Sequence, residues 1–154
     1  MHLSKFTDYS LRVLIYLATK PDEISTIDEI SKRYGLSKEH LRKIIHHLAK
    51  ENWIESRRGR GGGVLLARPA RDISIGEVVR SVEEGFNIAE CFDPNKSQCQ
   101  IDGLCRLTGM LGEALNAFLA VLDQYTLADI VQNQDQLLAR LGITLAKPEK
   151  ELQS

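Results

Sequence analysis

The sequence predicts a mainly α-helical fold that carries one short β-hairpin. Three observations predict it. Apolar residues recur at intervals of three and four through most of the chain. Two of these helical stretches are separated by only Gly35-Leu36. A glycine- and arginine-rich tip, Arg58-Gly59-Arg60-Gly61-Gly62-Gly63, lies between two short strand-like runs. With 154 residues, 43% of them hydrophobic and 27% charged, the chain can bury one core. Its composition excludes a disordered chain or a disulfide scaffold.

The elements follow in order. A first helix is expected to start at Thr7 as cap, with Phe6 and Leu11 at staple positions. Leu11, Leu14, Ile15 and Ala18 supply its inner face, and Lys20-Pro21-Asp22 ends it. Thr26 and Glu29 form a capping box for a second helix, in which Ile27, Ile30 and Tyr34 face inward. Gly35 supplies its left-handed stop. Ser37 caps a third helix, buried through Leu41, Ile44, Ile45 and Leu48. Two short helices across a tight glycine turn form a helix-turn-helix. Its outer face offers Glu39, Arg42, Lys43, His46 and His47. Trp53 to Arg57 and Val64 to Ala67 then read as the strands of a wing. The expected DNA-binding residues are Ser37, Lys38, His40, Arg42, Lys43 and His46 on the helix, with Arg57, Arg58 and Arg60 on the wing. The glycine run is not a nucleotide-binding loop, because no Gly-Lys-Ser/Thr follows it.

Charge divides the same way. Residues 1–71 hold 14 Lys+Arg against 8 Asp+Glu, whereas residues 72–154 hold 6 against 13. A basic first half fits a polyanionic partner; a solvated imbalance without a partner is the plainer alternative. No run is apolar enough to cross a membrane, and Met1-His2-Leu3-Ser4-Lys5 is no secretory leader. The expectation is a cytoplasmic protein whose cysteines are reduced thiols or metal ligands.

Beyond Pro69, Ile73 to Glu84 reads as a short helix, and periodicity then fails until about Gly103. Cys91, Cys99 and Cys105 lie in or beside this long loop, spaced Cys-x7-Cys-x5-Cys. Three soft ligands on one flexible segment can converge on zinc, copper(I) or an iron–sulfur cluster; three unrelated thiols are the alternative. Structural zinc would call for a histidine, and none of His2, His40, His46 and His47 is near in sequence. A cluster would need an unusual fourth ligand. A long helix follows, with Leu107, Leu111, Leu115, Phe118, Leu122 and Tyr125 in a stripe suited to a core or a two-fold partner. The expected organisation is a winged helix-turn-helix domain over 1–71, a cluster-binding loop and dimerisation helix over 72–135, and a polar tail over 136–154.

Taken together, residues 1–135 resemble the iron–sulfur winged-helix transcriptional repressor family. The resemblance rests on Leu3-Ser4-Lys5-Phe6-Thr7-Asp8-Tyr9-Ser10-Leu11-Arg12, the Gly62-Gly63-Val64-Leu65-Leu66 wing, Ile75-Gly76-Glu77-Val78-Val79-Arg80 and the three cysteines. Tyr125-Thr126-Leu127-Ala128-Asp129-Ile130-Val131 is similar to the nitric-oxide-sensing branch. The resemblance implies a non-enzymatic homodimer that represses from a palindromic double-stranded operator and is released when nitric oxide attacks its cluster. It implies a 4Fe–4S cluster, with 2Fe–2S as the alternative, on Cys91, Cys99 and Cys105. Thr108 stands where the cluster-biogenesis branch has its ligand histidine. Asp8, from the partner chain, matches the fourth ligand of the nitric-oxide branch; a first-turn acid serving the helix dipole is its plainer role. A sibling sensor of cluster or redox status, a zinc-containing DNA-binding protein and a cluster-bearing redox enzyme are the competing readings. No nucleotide fingerprint or catalytic triad supports the last.

Overall fold

The computed structural model describes residues 2–93, 95 and 97–145. Its first five elements are the winged helix-turn-helix: α1 (Lys5–Ala18), α2 (Ile27–Tyr34), α3 (Lys38–Lys50), β1 (Ile54–Arg57) and β2 (Gly63–Leu66). Then come α4 (Ile75–Val82), the long α5 (Arg106–Leu122), the single turn α6 (Leu127–Ile130) and α7 (Gln134–Leu141). The strands pair antiparallel, with Ile54 opposite Leu66 and Arg57 opposite Gly63.

Local chemistry places most boundaries. Thr26 accepts from the Glu29 amide at 3.2 Å while Glu29 returns to the Thr26 amide, so the expected capping box is present. Gly35 takes the left-handed conformation, φ 64°, and ends α2. Ser37 caps α3 through the His40 amide at 3.2 Å, and Leu41, Ile44, Ile45 and Leu48 are buried as expected.

Helix α1 departs from expectation. Its cap is Ser4, whose hydroxyl accepts from the Thr7 amide at 3.1 Å. Thr7 lies inside the first turn, fully buried, and donates its hydroxyl to the Glu83 carboxylate. Glu83 also takes the Ser4 amide at 3.1 Å. This acid, just past α4, therefore satisfies two groups of the α1 start and decides between the two candidate caps. The inner face is rotated as well: Val13, Leu14, Tyr16 and Leu17 are buried, whereas Leu11 and Ile15 are only half-buried. The rotation follows from the central place of α1, which packs on α3, α4, α6 and β2 together.

One core runs across the expected boundary at residue 71. Leu14, Leu17, Leu41 and Leu48 from the first half join Ile73, Val78, Val79, Leu119 and Leu127 from the second. Structure also continues past residue 135. In α7 Leu138 is buried, and Gln134 donates to the Thr19 carbonyl at 2.8 Å. The Lys147-Pro148 stretch of the expected tail lies outside the described residues.

The wing is anchored at its base. Ser25 and Val64 exchange two backbone hydrogen bonds of 2.9 and 2.8 Å, so the Ile24–Ser25 segment lies beside β2. Gly63 leaves room for that approach: a Cβ there would sit 2.5 Å from the Ser25 carbonyl oxygen and 2.6 Å from Ile24 Cγ2. Backbone cannot yield as a flexible side chain can. Gly63→Ala is therefore expected to lower stability by about 1–3 kcal/mol, the usual cost of overpacking. A urea midpoint equal to the wild type's would contradict this contact.

Candidate functional site

The reading head presents its cations outward. Lys38, His40, Arg42, Lys43 and His46 are all exposed on α3, and Arg57, Arg58 and Arg60 are exposed on the wing. Local acids already engage some of them: Lys38 pairs with Asp28 at 2.9 Å, Lys43 with Glu39 at 3.4 Å and Arg57 with Glu55 at 2.8 Å. The Lys38 bond holds the Asp28 carboxyl below its ordinary range. Arg58 and Arg60, at the tip, make no ion pair among the described residues. Tip arginines of this kind suit phosphate or minor-groove contact. Arg60→Ala is therefore expected to weaken binding to all DNA sequences alike and to lower the salt slope by about one unit. Titrations at several salt concentrations check this; an unchanged slope would remove Arg60 from the interface.

His47 departs from the outward face. Its Nε2 lies 2.9 Å from the Ser81 carbonyl, and its ring meets Phe6 edge-on at 5.4 Å. The Trp53 indole N–H donates to Ser81 Oγ at 3.0 Å, and the Arg68 guanidinium sits 4.7 Å from the Trp53 ring centre. The end of α4 thus holds the recognition helix and the wing base at one residue, and the start of α1 at Glu83 two residues on. Sequence reasoning missed Ser81 and Glu83. No local signal marks them, because their partners are 28 to 79 residues away.

The three cysteines are free thiols and line one cavity of about 240 Å³. Cys91 sits in a short 3-10 turn (Glu90–Phe92), Cys99 is exposed in the loop, and Cys105 is the residue before α5. The rest of the wall includes Ile101, Leu107, Thr108 and Leu111. The loop is shaped by its own bonds: Ser97 to Asp102 at 2.7 Å, and backbone turns from Asp102 to Cys99 and from Leu104 to Ile101, both 3.1 Å. Among the described residues, no three Cys, His, Asp or Glu side chains converge closely enough to hold a metal ion. The thiols therefore face a shared space without already forming a coordination sphere.

No histidine of the same chain lines this cavity. Asp8 does not line it either. Its carboxylate takes both arms of the Arg12 fork, at 3.0 and 2.7 Å, on the half-exposed side of α1. Thr108, which stands where the cluster-biogenesis branch has a ligand histidine, donates its hydroxyl to Cys91 Sγ at 3.4 Å. No sequence signal joins those two, which stand 17 residues apart across the loop.

Large apolar side chains are exposed beside the cavity, together with the acids Glu90 and Asp102 of its wall. Leu104 is 87% exposed, Met110 61%, and Ile101 and Leu107 56% each. Along α5 only Leu119 is buried; Leu115, Phe118 and Leu122 of the predicted stripe pack half-buried on the chain's own core, whereas Leu107 and Tyr125 at its two ends stay exposed. No helix among the described residues is long and apolar enough to cross a membrane.

Comparison with known proteins places this architecture. The family model described as Rrf2, an iron-dependent transcriptional regulator, matches residues 3–133. The HTH-type transcriptional regulator NsrR of Bacillus subtilis is 51% identical over 142 residues, covering 92% of this chain and 97% of that protein. The regulator of the same name from Bacillus licheniformis is 49% identical over 138 residues, 89% of this chain and 96% of the other. Among solved structures, T. potens IscR superposes with a TM-score of 0.69 at 25% identity, covering 89% of this chain and 90% of that one. The relatives are transcription regulators, and the mainly helical winged fold is theirs. With the family model spanning most of its length, the chain belongs to the Rrf2 family of iron-dependent transcriptional regulators.

Proposed function

We propose that this chain is a homodimeric repressor that holds an iron–sulfur cluster on Cys91, Cys99 and Cys105 and leaves its palindromic operator when nitric oxide reaches that cluster. The observation that carries the reading is the single cavity lined by all three free thiols. The donor set fits the group. Thiolates are the usual ligands of iron–sulfur clusters, and three of them leave one position for a ligand of another kind. Ile101, Leu107 and Leu111 would limit water around such a centre. When bound, the cluster supplies iron with one weakly held position, where a diatomic ligand can enter. A 4Fe–4S centre is the form that the resemblance to the nitric-oxide-sensing branch implies, with 2Fe–2S the alternative.

The chain's own residues do the rest. Asp8 of a second copy is the fourth ligand in this reading. Arg12 holds its carboxylate in place by two hydrogen bonds, with about half its surface open to a neighbour. The exposed apolar side chains Leu107 and Met110 of α5, with Leu104 in the loop just before it, supply the surface that a second copy would cover. Holding Asp8 fixes α1, and α1 packs directly on the recognition helix α3. The two states need only a modest bias. Moving a population from 1:99 to 99:1 takes about 5.5 kcal/mol.

Anaerobic titration with nitric oxide, following absorbance and operator binding in one sample, tests the reading. Both signals are expected to fall together. Operator binding that persists after the visible absorbance has gone, or a colourless zinc protein with full operator affinity, would overturn it.

A further inference from the structure

Among the described residues, Thr108 is the only side chain that donates a hydrogen bond to a cysteine sulfur. Its Oγ1 lies 3.4 Å from Cys91 Sγ, an ordinary length for an O–H···S contact. Both residues line the cysteine cavity. We propose that Thr108 is a positioning residue of the cysteine centre: its hydroxyl fixes the Cys91 thiolate against α5 and withdraws electron density from that sulfur. The proposal rests on the reading that the three thiols hold an iron–sulfur cluster.

Three features favour it. Thr108 is the third residue of α5, and a β-branched side chain on a helix has few χ1 choices, so the backbone largely presets the donor. The hydroxyl has no capping duty, because the residue before α5 is Cys105 and makes no side-chain cap bond. Cys91, finally, sits at the far end of the loop, in a short turn held by hydrogen bonds within the loop, that from the Gln98 amide to Glu90 included. The Thr108 contact is the bond that attaches this end of the loop to the long helix. Hydrogen bonds to ligand sulfur raise the reduction potential of iron–sulfur centres, and such outer partners orient the ligand.

The test compares Thr108→Val, which keeps the shape and removes the hydroxyl, with Thr108→Ser, which restores it. Full-length protein is reconstituted anaerobically, iron and sulfide are counted, and the reduction potential is measured. The cluster-free forms are alkylated with iodoacetamide well above the thiol pKa, and each cysteine is followed by peptide mass spectrometry. Thr108→Val is expected to have a more negative potential than wild type, and Thr108→Ser to recover it. Cys91 in Thr108→Val is expected to react severalfold faster, because a thiolate that accepts no hydrogen bond is the stronger nucleophile, while Cys99 and Cys105 keep their rates. A wild-type potential together with a wild-type Cys91 rate in Thr108→Val overturns the role of Thr108 and leaves the cluster reading standing. Should Thr108→Val take up no iron, the alkylation arm decides by itself. Failure of the wild type to take up iron overturns the reading beneath the proposal.

Discussion

Cys99→Ala is expected to leave the protein folded and without iron. Cys99 is exposed on the loop and belongs to no part of the hydrophobic core, so removing its sulfur opens no cavity. Substitutions at such positions usually change stability by no more than about 0.5 kcal/mol. The cluster is a different matter. Three thiols face one space, and loss of one would leave two sulfurs for a centre that ordinarily takes four protein ligands. Iron per chain should fall to background, and operator affinity should fall to the level of random DNA, a loss of about a thousandfold or more. Colorimetric iron, circular dichroism and operator titration on one preparation separate the outcomes. A Cys99→Ala chain with full iron would remove Cys99 from the ligand set. A chain that loses both helicity and iron would place Cys99 in the fold rather than at a metal.

The second large effect concerns a charge inside the head. Lys20 is only 7% exposed, and its ammonium lies 2.7 Å from Glu29 Oε1. The Tyr16 hydroxyl donates to that same oxygen at 2.8 Å. Burial alone would push the Glu29 carboxyl up; hydrogen bonds from Lys20 and Tyr16 outweigh it and hold the carboxyl below its ordinary 4.5. Burial and the Glu29 contact push the Tyr16 hydroxyl well above its ordinary range, so it stays a neutral donor. A depressed carboxyl contributes stability that is fully present above the unfolded value and is lost as pH falls through the folded one. Lys20→Met removes the cation and leaves the carboxylate's burial cost offset only by the Tyr16 hydroxyl and the Thr26 amide. The expected loss at pH 7 is about 3 kcal/mol, the low end for breaking a buried pair, because Glu29 still reaches solvent. Its carboxyl would then titrate higher, and the variant would be relieved on acidification. Urea midpoints at neutral pH and below pH 4.5 should show the gap between the two proteins narrowing. A gap independent of pH would mean that Lys20 acts through packing alone.

The elements legible in the sequence are those settled by near neighbours. Thr26 with Glu29, Gly35 and Ser37 each act within a turn, and all three stand where their residue types put them. The period of Leu41, Ile44, Ile45 and Leu48 marks the inner face of α3 because that face meets a single core. The start of α1 was not legible. Ser4 and Thr7 are both good caps, and Glu83 decides between them from the other half of the chain. His47 follows the same rule, turned inward by Phe6 and by a carbonyl of α4. At the candidate site, the cysteine spacing gave the grouping and the loop gave its freedom to converge. The Thr108 donor was hidden, because only folding brings the start of the loop back to α5. The apolar stripe of α5 was legible as a stripe, but not in its division: Leu115, Phe118 and Leu122 pack on the chain's own core, whereas Leu107 and Tyr125 stay exposed.

The end of α4 has a consequence for how an operator would be discriminated. Ser81 holds the recognition helix and the wing base, and Glu83 holds the start of α1. Helix, wing and first helix are therefore fastened at adjacent points and turn together. A head fastened in this way is expected to keep its base preferences when the cysteine centre changes, because α3, the wing base and the start of α1 are tied to one another through α4. In the proposed dimer, a signal alters the distance and angle between two unchanged heads. The two states would then share one half-site sequence and differ in the separation of half-sites they tolerate.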